Sequence, residues 1–109
     1  MKRKSWVRYQ DLLIEDLKDP EEAAGYLNAV LAEGDQKMFL VALRNVAEAH
    51  GGMLKLSRKT RLSRPNLYRM FSRNGHPEIQ SIHRVLAAFD LNLRVSPKEE
   101  KSAGLKKAA

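Results

Sequence analysis

The hydrophobic pattern divides the first half of the chain into three helices. Uneven apolar spacing predicts a first short helix over Trp6–Lys18. The second covers Asp19–Gly34, because it opens with an N-capping aspartate and a proline that needs no N–H partner, and it closes with a glycine. The third covers Asp35–Gly51 and carries an apolar stripe at helical spacing. This half is therefore expected to be helical throughout.

The second half has shorter and more closely spaced elements. Met53–Thr60 is predicted as a small helix, Arg61-Leu62 as a turn, and Ser63 as the N-cap of a helix that runs to about Arg73. Glu78–Phe89 carries a clean apolar face and is predicted as the last helix. These elements complete an all-α fold of five to six helices.

A possible strand follows the last helix, where Leu91, Leu93 and Val95 alternate with polar residues. No second strand is available in the chain, so this segment either lies extended or pairs with the same segment of another copy. We expect the pairing, which gives a two-fold homodimer, because an unpaired apolar strand favours aggregation. Residues 96–109 have little to bury and are predicted to form a flexible basic tail.

The net positive charge of the chain indicates that this helical domain binds a polyanionic partner. The chain of 109 residues has a net charge of +7, with 20 Lys and Arg against 13 Asp and Glu. The stretch Ala49–Pro77 holds seven basic residues and no acidic one, so the remainder sums to zero. Such a block can be an ordinary solvated face, but here it coincides with the pair of short helices. Nucleic acid is the expected partner.

The basic helix pair matches a DNA-binding helix-turn-helix, with residues 53–73 as the motif itself. Leu56 and Leu67, with Leu62 and Met70, are expected to hold the two helices at a fixed angle so that the second can enter the major groove. The candidates for base contacts are Arg64, Asn66 and Arg69, because Arg can pair with a guanine edge and Asn with an adenine edge. The candidates for phosphate contacts are Lys55, Lys59, Arg61, Ser63, Tyr68 and Arg73.

The sequence resembles the addiction-module antidote proteins, which are HigA-type antitoxins with a lambda-repressor-like (XRE-like) helix-turn-helix. The blocks that carry the resemblance are DPEEAAGYLNAVLAEGD, FLVALRNVAEAHGG, LSRPNLYRMFSRNGHP and IHRVLAAFDLNLRV. It implies a bacterial, dimeric DNA-binding protein that neutralises a small RelE/HigB-type ribonuclease toxin and represses their shared operon. The family commonly has Ala at Ser57 and Gly at Arg61. An arginine in the left-handed conformation that this turn favours is strained by about 1 kcal/mol. Either the turn here differs slightly from the family's, or Arg61 gains a phosphate contact that offsets the strain.

The domain organisation follows from these elements. Residues 1–18 form an N-terminal extension with a short helix, residues 19–95 the helix-turn-helix domain, and residues 96–109 the tail. The N-terminal helices, from about Trp6 to His50, and the tail are the candidate toxin contacts. Two other functions stay open, namely a prophage-type transcriptional repressor with no toxin partner and a protein-interaction adaptor on a decayed helix-turn-helix. Steep loss of affinity with salt would separate the adaptor from the DNA binders.

Several other functions are not expected. The three histidines, His50, His76 and His83, have no metal-ligand spacing, cysteine is absent, and no acid–base pair or phosphate loop stands out, so we expect no metal, no cofactor and no enzymatic activity. The charged chain lacks an apolar run that could span a membrane, and we expect a cytoplasmic protein that joins the nucleoid when bound to DNA. Aromatic residues are expected in the core, which favours duplex over single-stranded DNA: Trp6, Tyr9, Tyr26, Phe39, Phe71 and Phe89.

Overall fold

The computed structural model of the chain describes the backbone of residues 5–72 and 74–98 and the side chains of residues 9–72 and 74–98. This part of the chain is all-helical, and the predicted all-α class is confirmed for it. Six helices lie where the hydrophobic pattern predicts them, and they are α1 (Ser5–Asp16), α2 (Pro20–Glu33), α3 (Gln36–Ala49), α4 (Gly52–Thr60), α5 (Arg64–Met70) and α6 (Ile79–Ala88).

The N-termini of α2 and α3 are fixed by the two aspartates that the sequence indicates. The Asp19 carboxylate accepts a hydrogen bond of 3.0 Å from the Glu21 backbone N–H, and the Asp35 carboxylate accepts one of 3.0 Å from the Lys37 N–H. Each bond satisfies an amide that has no partner inside its helix. Gly34 ends α2 in the left-handed conformation, so that α3 can begin two residues later.

The core forms around α3 and α4. Helices α1 and α2 pack on α3, α4 also packs on α3, and α5 and α6 both pack on α4. The His50 Nε2 is 3.0 Å from the Leu17 carbonyl oxygen, which ties the end of α1 to the end of α3. The largest fully buried side chains are Phe89, Leu17, Leu43, Leu67, Val46 and Val85. They come from α3, α5 and α6 and from the residues that follow α1 and α6, so a single core joins the N-terminal helices to the short ones.

The aromatic residues divide between the core and the surface. Phe71 and Phe89 are buried as predicted, and Tyr26 and Phe39 pack half-buried against the core. The prediction for Tyr9 is wrong, because its side chain is 68% exposed. At about 100° per residue, Tyr9 lies about 80° around the helix axis from Leu17, the buried residue that follows α1. Trp6 lies outside the described side chains.

Helix α5 is shorter than the sequence pattern predicts. It ends at Met70 with Phe71 as the C-cap, whereas the prediction extends it to about Arg73. The chain turns back at this point, and Gly75 comes so close to the Met70 carbonyl that a Cβ on it would lie 2.2 Å from that oxygen. Another helical turn would fill the space that this returning backbone occupies. Arg73 itself lies outside the described residues.

The predicted C-terminal strand is not present in the described part of the chain. Residues 91–98 form neither helix nor strand, although Leu91 and Leu93 pack half-buried against the core. Val95 continues the apolar alternation but is 98% exposed. A strand requires a partner with which to pair, and none lies beside this segment within residues 5–98. Residues 99–109 of the predicted tail lie outside the described residues.

None of the six helices combines the length and the apolar character that a bilayer crossing requires.

Candidate nucleic-acid interface

A three-residue turn, Arg61 to Ser63, joins α4 to α5. Side-chain hydroxyls hold it closed from within. The Ser57 Oγ donates a hydrogen bond of 2.6 Å to the Leu62 carbonyl, and the Thr60 Oγ1 accepts one of 3.2 Å from the Leu62 N–H. The buried Thr60 hydroxyl also donates a hydrogen bond of 2.8 Å to the Leu56 carbonyl, which satisfies its own donor away from water. The last turn of α4 and the turn that follows it therefore form one rigid unit.

Arg61 adopts the left-handed conformation, with φ 68° and ψ 21°, so the alternative of a turn with a different backbone at this position is wrong. Its N–H donates to the Ser57 carbonyl at 2.8 Å and closes the C-terminus of α4. An arginine in this conformation costs about 1 kcal/mol relative to glycine, because its Cβ crowds the following carbonyl. The turn therefore retains the geometry that suits glycine while presenting a cation.

The strain at Arg61 gives a stability prediction. The Arg61→Gly variant is expected to raise the free energy of unfolding by about 1 kcal/mol. The matched control is Arg58→Gly, which removes an equally exposed cation from the interior of α4 and should lower stability by about 1 kcal/mol. Chemical denaturation followed by circular dichroism measures both changes. Equal destabilisation by the two glycines would show that the Arg61 backbone is not strained.

Apolar side chains fix α5 against α4 as the sequence predicts. Leu56 on α4 and Leu67 and Met70 on α5 are buried, and Leu62 in the turn is half-buried against the same core. Burial of a leucine side chain contributes about 1.5 to 3 kcal/mol. These contacts leave the opposite side of α5 free for a partner.

The exposed side of α5 carries the residues that the sequence selects for base contacts. The Ser63 Oγ accepts a hydrogen bond of 3.2 Å from the Asn66 N–H and caps the helix. The side chains that face solvent are Arg64, Pro65, Asn66, Tyr68 and Arg69. At about 100° per residue, Pro65 lies in the middle of this face with Tyr68 and Arg69 on either side of it, and the two edges are Arg64 and Asn66.

Two side chains on this face contact each other. The Arg69 Nη1 donates a hydrogen bond of 2.7 Å to the Asn66 Oδ1, three residues earlier on α5. The two residues also line one depression together with His76, Glu78 and Ser81 at the start of α6. The structure therefore brings two of the three predicted base-contact residues together and leaves Arg64 separate.

Tyr68 contacts a residue that the sequence analysis does not select. The guanidinium of Arg44, on α3, lies 5.7 Å from the centre of the Tyr68 ring. A cation over an aromatic face is attracted by the ring's negative potential, by about 0.5 to 1 kcal/mol at exposed sites. Arg44 therefore adds a cation to the α3 edge of the α5 face. It lies outside the acid-free stretch, so no local pattern indicates it.

The side chains of Lys55 and Lys59 are exposed on α4. The Lys59 Nζ is 3.4 Å from the Ala88 carbonyl of α6, and the Arg84 Nη1 of α6 is 3.5 Å from the Thr60 carbonyl of α4. Each helix therefore places a cation at the other's C-terminus, where the helix dipole is negative. Arg84 is a second cation that the sequence analysis misses. Lys59, Arg61 and Arg84 line a depression of about 510 Å³ with Asp90.

The six described basic residues of the acid-free stretch are Lys55, Arg58, Lys59, Arg61, Arg64 and Arg69, and all are exposed. The seventh predicted cation, Arg73, is not among the described residues. Ser63 and Tyr68, the remaining predicted contacts, are exposed beside them. The described helices before this stretch have the opposite character, because Tyr9 to Glu48 contains nine acidic and three basic residues. No group of three or more His, Asp or Glu residues in the described ranges is arranged to hold a metal ion.

Comparisons with known proteins cover most of the described chain. A family model described as "probable addiction module antidote protein" matches residues 9–97. A protein of Haemophilus influenzae, described only as an uncharacterized protein, is 33% identical over 81 residues, which are 74% of this chain and 82% of that protein. No solved structure matches the chain significantly.

Proposed function

Because the chain belongs to the family of probable addiction module antidote proteins, we propose that it is the DNA-binding antitoxin of a type II toxin–antitoxin module. An antidote implies a toxin as its partner and a regulatory rather than catalytic role. The proposed toxin is a small RelE/HigB-type ribonuclease, and the proposed DNA target is the operator of the operon that the two proteins share.

The observation that carries the DNA-binding proposal is the exposed, acid-free basic face of α4 and α5 over a buried apolar contact. We propose that α4 and α5 form a helix-turn-helix of the lambda-repressor-like type and that α5 enters the major groove. Arg64, Asn66 and Arg69 are then the residues nearest the base edges. The proposed phosphate contacts come from the flanks of this face and comprise Lys55, Lys59, Arg61, Ser63, Tyr68 and Arg73.

The proposed toxin surface lies on α1 to α3. A ribonuclease that binds the RNA backbone needs a basic surface, and the excess of acidic residues between Tyr9 and Glu48 complements such a surface. Tyr9 and Leu12 add exposed apolar area on α1, at 68% and 62% exposure. Charge thus separates the two proposed partners, with the nucleic acid on α4 and α5 and the toxin on α1 to α3.

The proposed homodimer uses the segment after α6. Backbone groups of residues 92–95 make no hydrogen bond within the described part of the chain, and Val95 is exposed. Pairing with the same segment of a second copy would satisfy these groups. A two-fold dimer of this kind binds a palindromic operator, with half-sites about 34 to 36 Å apart when they lie one helical turn from each other.

Bacterial growth tests the toxin partnership. The small open reading frame next to this gene is induced alone and then together with this chain. Arrest by the neighbour and rescue by this protein are the expected results. Arrest without rescue would contradict the antitoxin function, and absence of arrest from a well-expressed neighbour would favour the repressor without a toxin.

DNA binding gives a separate prediction with a matched pair of variants. Arg64→Ala is expected to weaken operator binding by about 1 to 3 kcal/mol and to relax base preference at one position. Lys55→Ala should instead weaken binding to all sequences alike and reduce the slope of log affinity against log salt by about 1. Fluorescence anisotropy on operator and scrambled duplexes at several salt concentrations measures both effects. An unchanged preference in Arg64→Ala would contradict the proposed orientation of α5.

A further inference from the structure

We propose that Asn66 and Arg69 act as one recognition unit, in which Asn66 positions the Arg69 guanidinium to bind guanine and does not itself read adenine. This inference rests on the proposed DNA-binding function of α5. It assigns different roles to two residues that the sequence pattern alone treats as equivalent.

The position of the two residues on α5 is the first support. Arg69 lies next to the middle of the exposed face, one helical turn after Pro65, and its long side chain can extend toward a base edge. Asn66 lies at the edge of that face, and the depression that it lines together with Arg69 extends to Glu78, the N-cap of α6, and to Ser81. Because the Asn66 side chain is short and lies at the edge of the face, it can contact Arg69 more easily than the base edges at the floor of the major groove.

The hydrogen bond between the two side chains is the second support. An asparagine that reads adenine must accept from the adenine N6 amino group through Oδ1 and donate to N7 through Nδ2. In this structure the Asn66 Oδ1 already accepts from the Arg69 Nη1 at 2.7 Å. A hydrogen bond from a charged donor is about twice as strong as one between neutral groups, so Arg69 fixes the orientation of the Asn66 amide and leaves one lone pair of Oδ1 for any other donor.

Arg69 loses little by this contact. A guanidinium has five N–H donors, and the bond to Asn66 uses one. The others remain able to form the two parallel hydrogen bonds to O6 and N7 of guanine. Because the side chain is held by Asn66 before DNA arrives, less rotamer freedom is lost on binding than for a free arginine.

The proposal is tested by selecting binding sites from a pool of random DNA duplexes with the full-length chain. The wild-type protein is expected to prefer guanine over the other bases at one position by about 5- to 150-fold. This preference should disappear in Arg69→Ala. Asn66→Ala is expected to weaken the same guanine preference by about 2- to 10-fold and to change no preference for adenine.

The double variant distinguishes a positioning role from an independent contact. If Asn66 acts only through Arg69, then Asn66→Ala combined with Arg69→Ala should lose no more affinity for the selected site than Arg69→Ala does alone. Asn28→Ala, which removes an exposed amide from α2, is the matched control and should leave all preferences unchanged. Because the Asn66 and Arg69 side chains are exposed, all variants are expected to keep the fold. Thermal melting followed by circular dichroism checks this.

Two results would overturn the proposal, and only the second would also overturn the proposed DNA-binding function. A selected adenine that depends on Asn66, with the guanine preference of Arg69 intact, would mean that Asn66 reads a base directly, and the DNA-binding function would stand. Selection of no sequence at all by the wild-type protein, with affinity that does not fall as salt rises, would overturn the recognition unit and the DNA-binding function together.

Discussion

Replacing Phe89 with alanine is expected to lower the free energy of unfolding by about 3 to 5 kcal/mol. The Phe89 ring is 1% exposed and lies against His50, with 5.1 Å between ring centres. Its removal leaves a cavity at the point where the end of α3 meets the residue after α6. For a domain of this size each kcal/mol corresponds to about 4 to 8 °C in Tm, so thermal melting should show a drop well above 10 °C.

The matched control for Phe89 is another aromatic residue that the same sequence pattern assigns to the core. Tyr9→Ala should change stability by no more than about 0.5 kcal/mol, because the Tyr9 side chain is 68% exposed. Similar losses from the two variants would show that Tyr9 is buried in the protein in solution, against its position in this structure.

Replacing Gly75 with alanine is the second substitution with a large expected effect. Its Cβ would lie 2.2 Å from the Met70 carbonyl oxygen and 2.9 Å from the Arg69 carbonyl oxygen. Both are backbone atoms, so the clash is relieved only if the loop or the end of α5 moves. Overpacking typically costs about 1 to 3 kcal/mol, and we expect the upper end of this range or more.

Gly25→Ala provides the control for this glycine. Gly25 lies within α2, and a Cβ there would meet nothing within 4 Å. Alanine should therefore stabilise the helix by about 0.5 to 1 kcal/mol. Urea denaturation should therefore show a lower free energy of unfolding for Gly75→Ala and a higher one for Gly25→Ala. Equal stability of Gly75→Ala and the parent protein would mean that the loop after α5 does not pack against the end of that helix.

Local chemistry explains why much of the fold can be predicted from the sequence. Asp19 and Asp35 bond to amides two residues away, and Arg61 terminates a helix through a bond to Ser57, so short sequence windows contain all the information for these features. The same holds for the buried leucines of α4 and α5, because helical periodicity alone selects them. Tyr9 is the exception, since its exposure depends on where α3 lies against α1.

The unpredicted parts of the candidate interface come from contacts between distant residues. Arg44 reaches Tyr68 across α3 and α5, and Arg84 reaches the Thr60 carbonyl from 24 residues away. Neither residue lies in the acid-free stretch, and their places follow from how α3 packs near α5 and α6 against α4 rather than from any spacing. The Asn66–Arg69 hydrogen bond is local, but each side chain could bond to many other groups. The sequence alone therefore does not predict that these two bond to each other.

The opposite charges of the two groups of helices have a kinetic consequence. Acidic residues dominate the described side chains of α1 to α3, and those of the acid-free stretch on α4 and α5 are basic, so charge is unevenly distributed over this part of the chain. In the field of a DNA duplex, a torque turns the basic end toward the phosphates while the two molecules are still separated by solvent. Fewer collisions then begin in an unproductive orientation. Added salt should therefore reduce the association rate constant itself, in addition to shortening the lifetime of the complex.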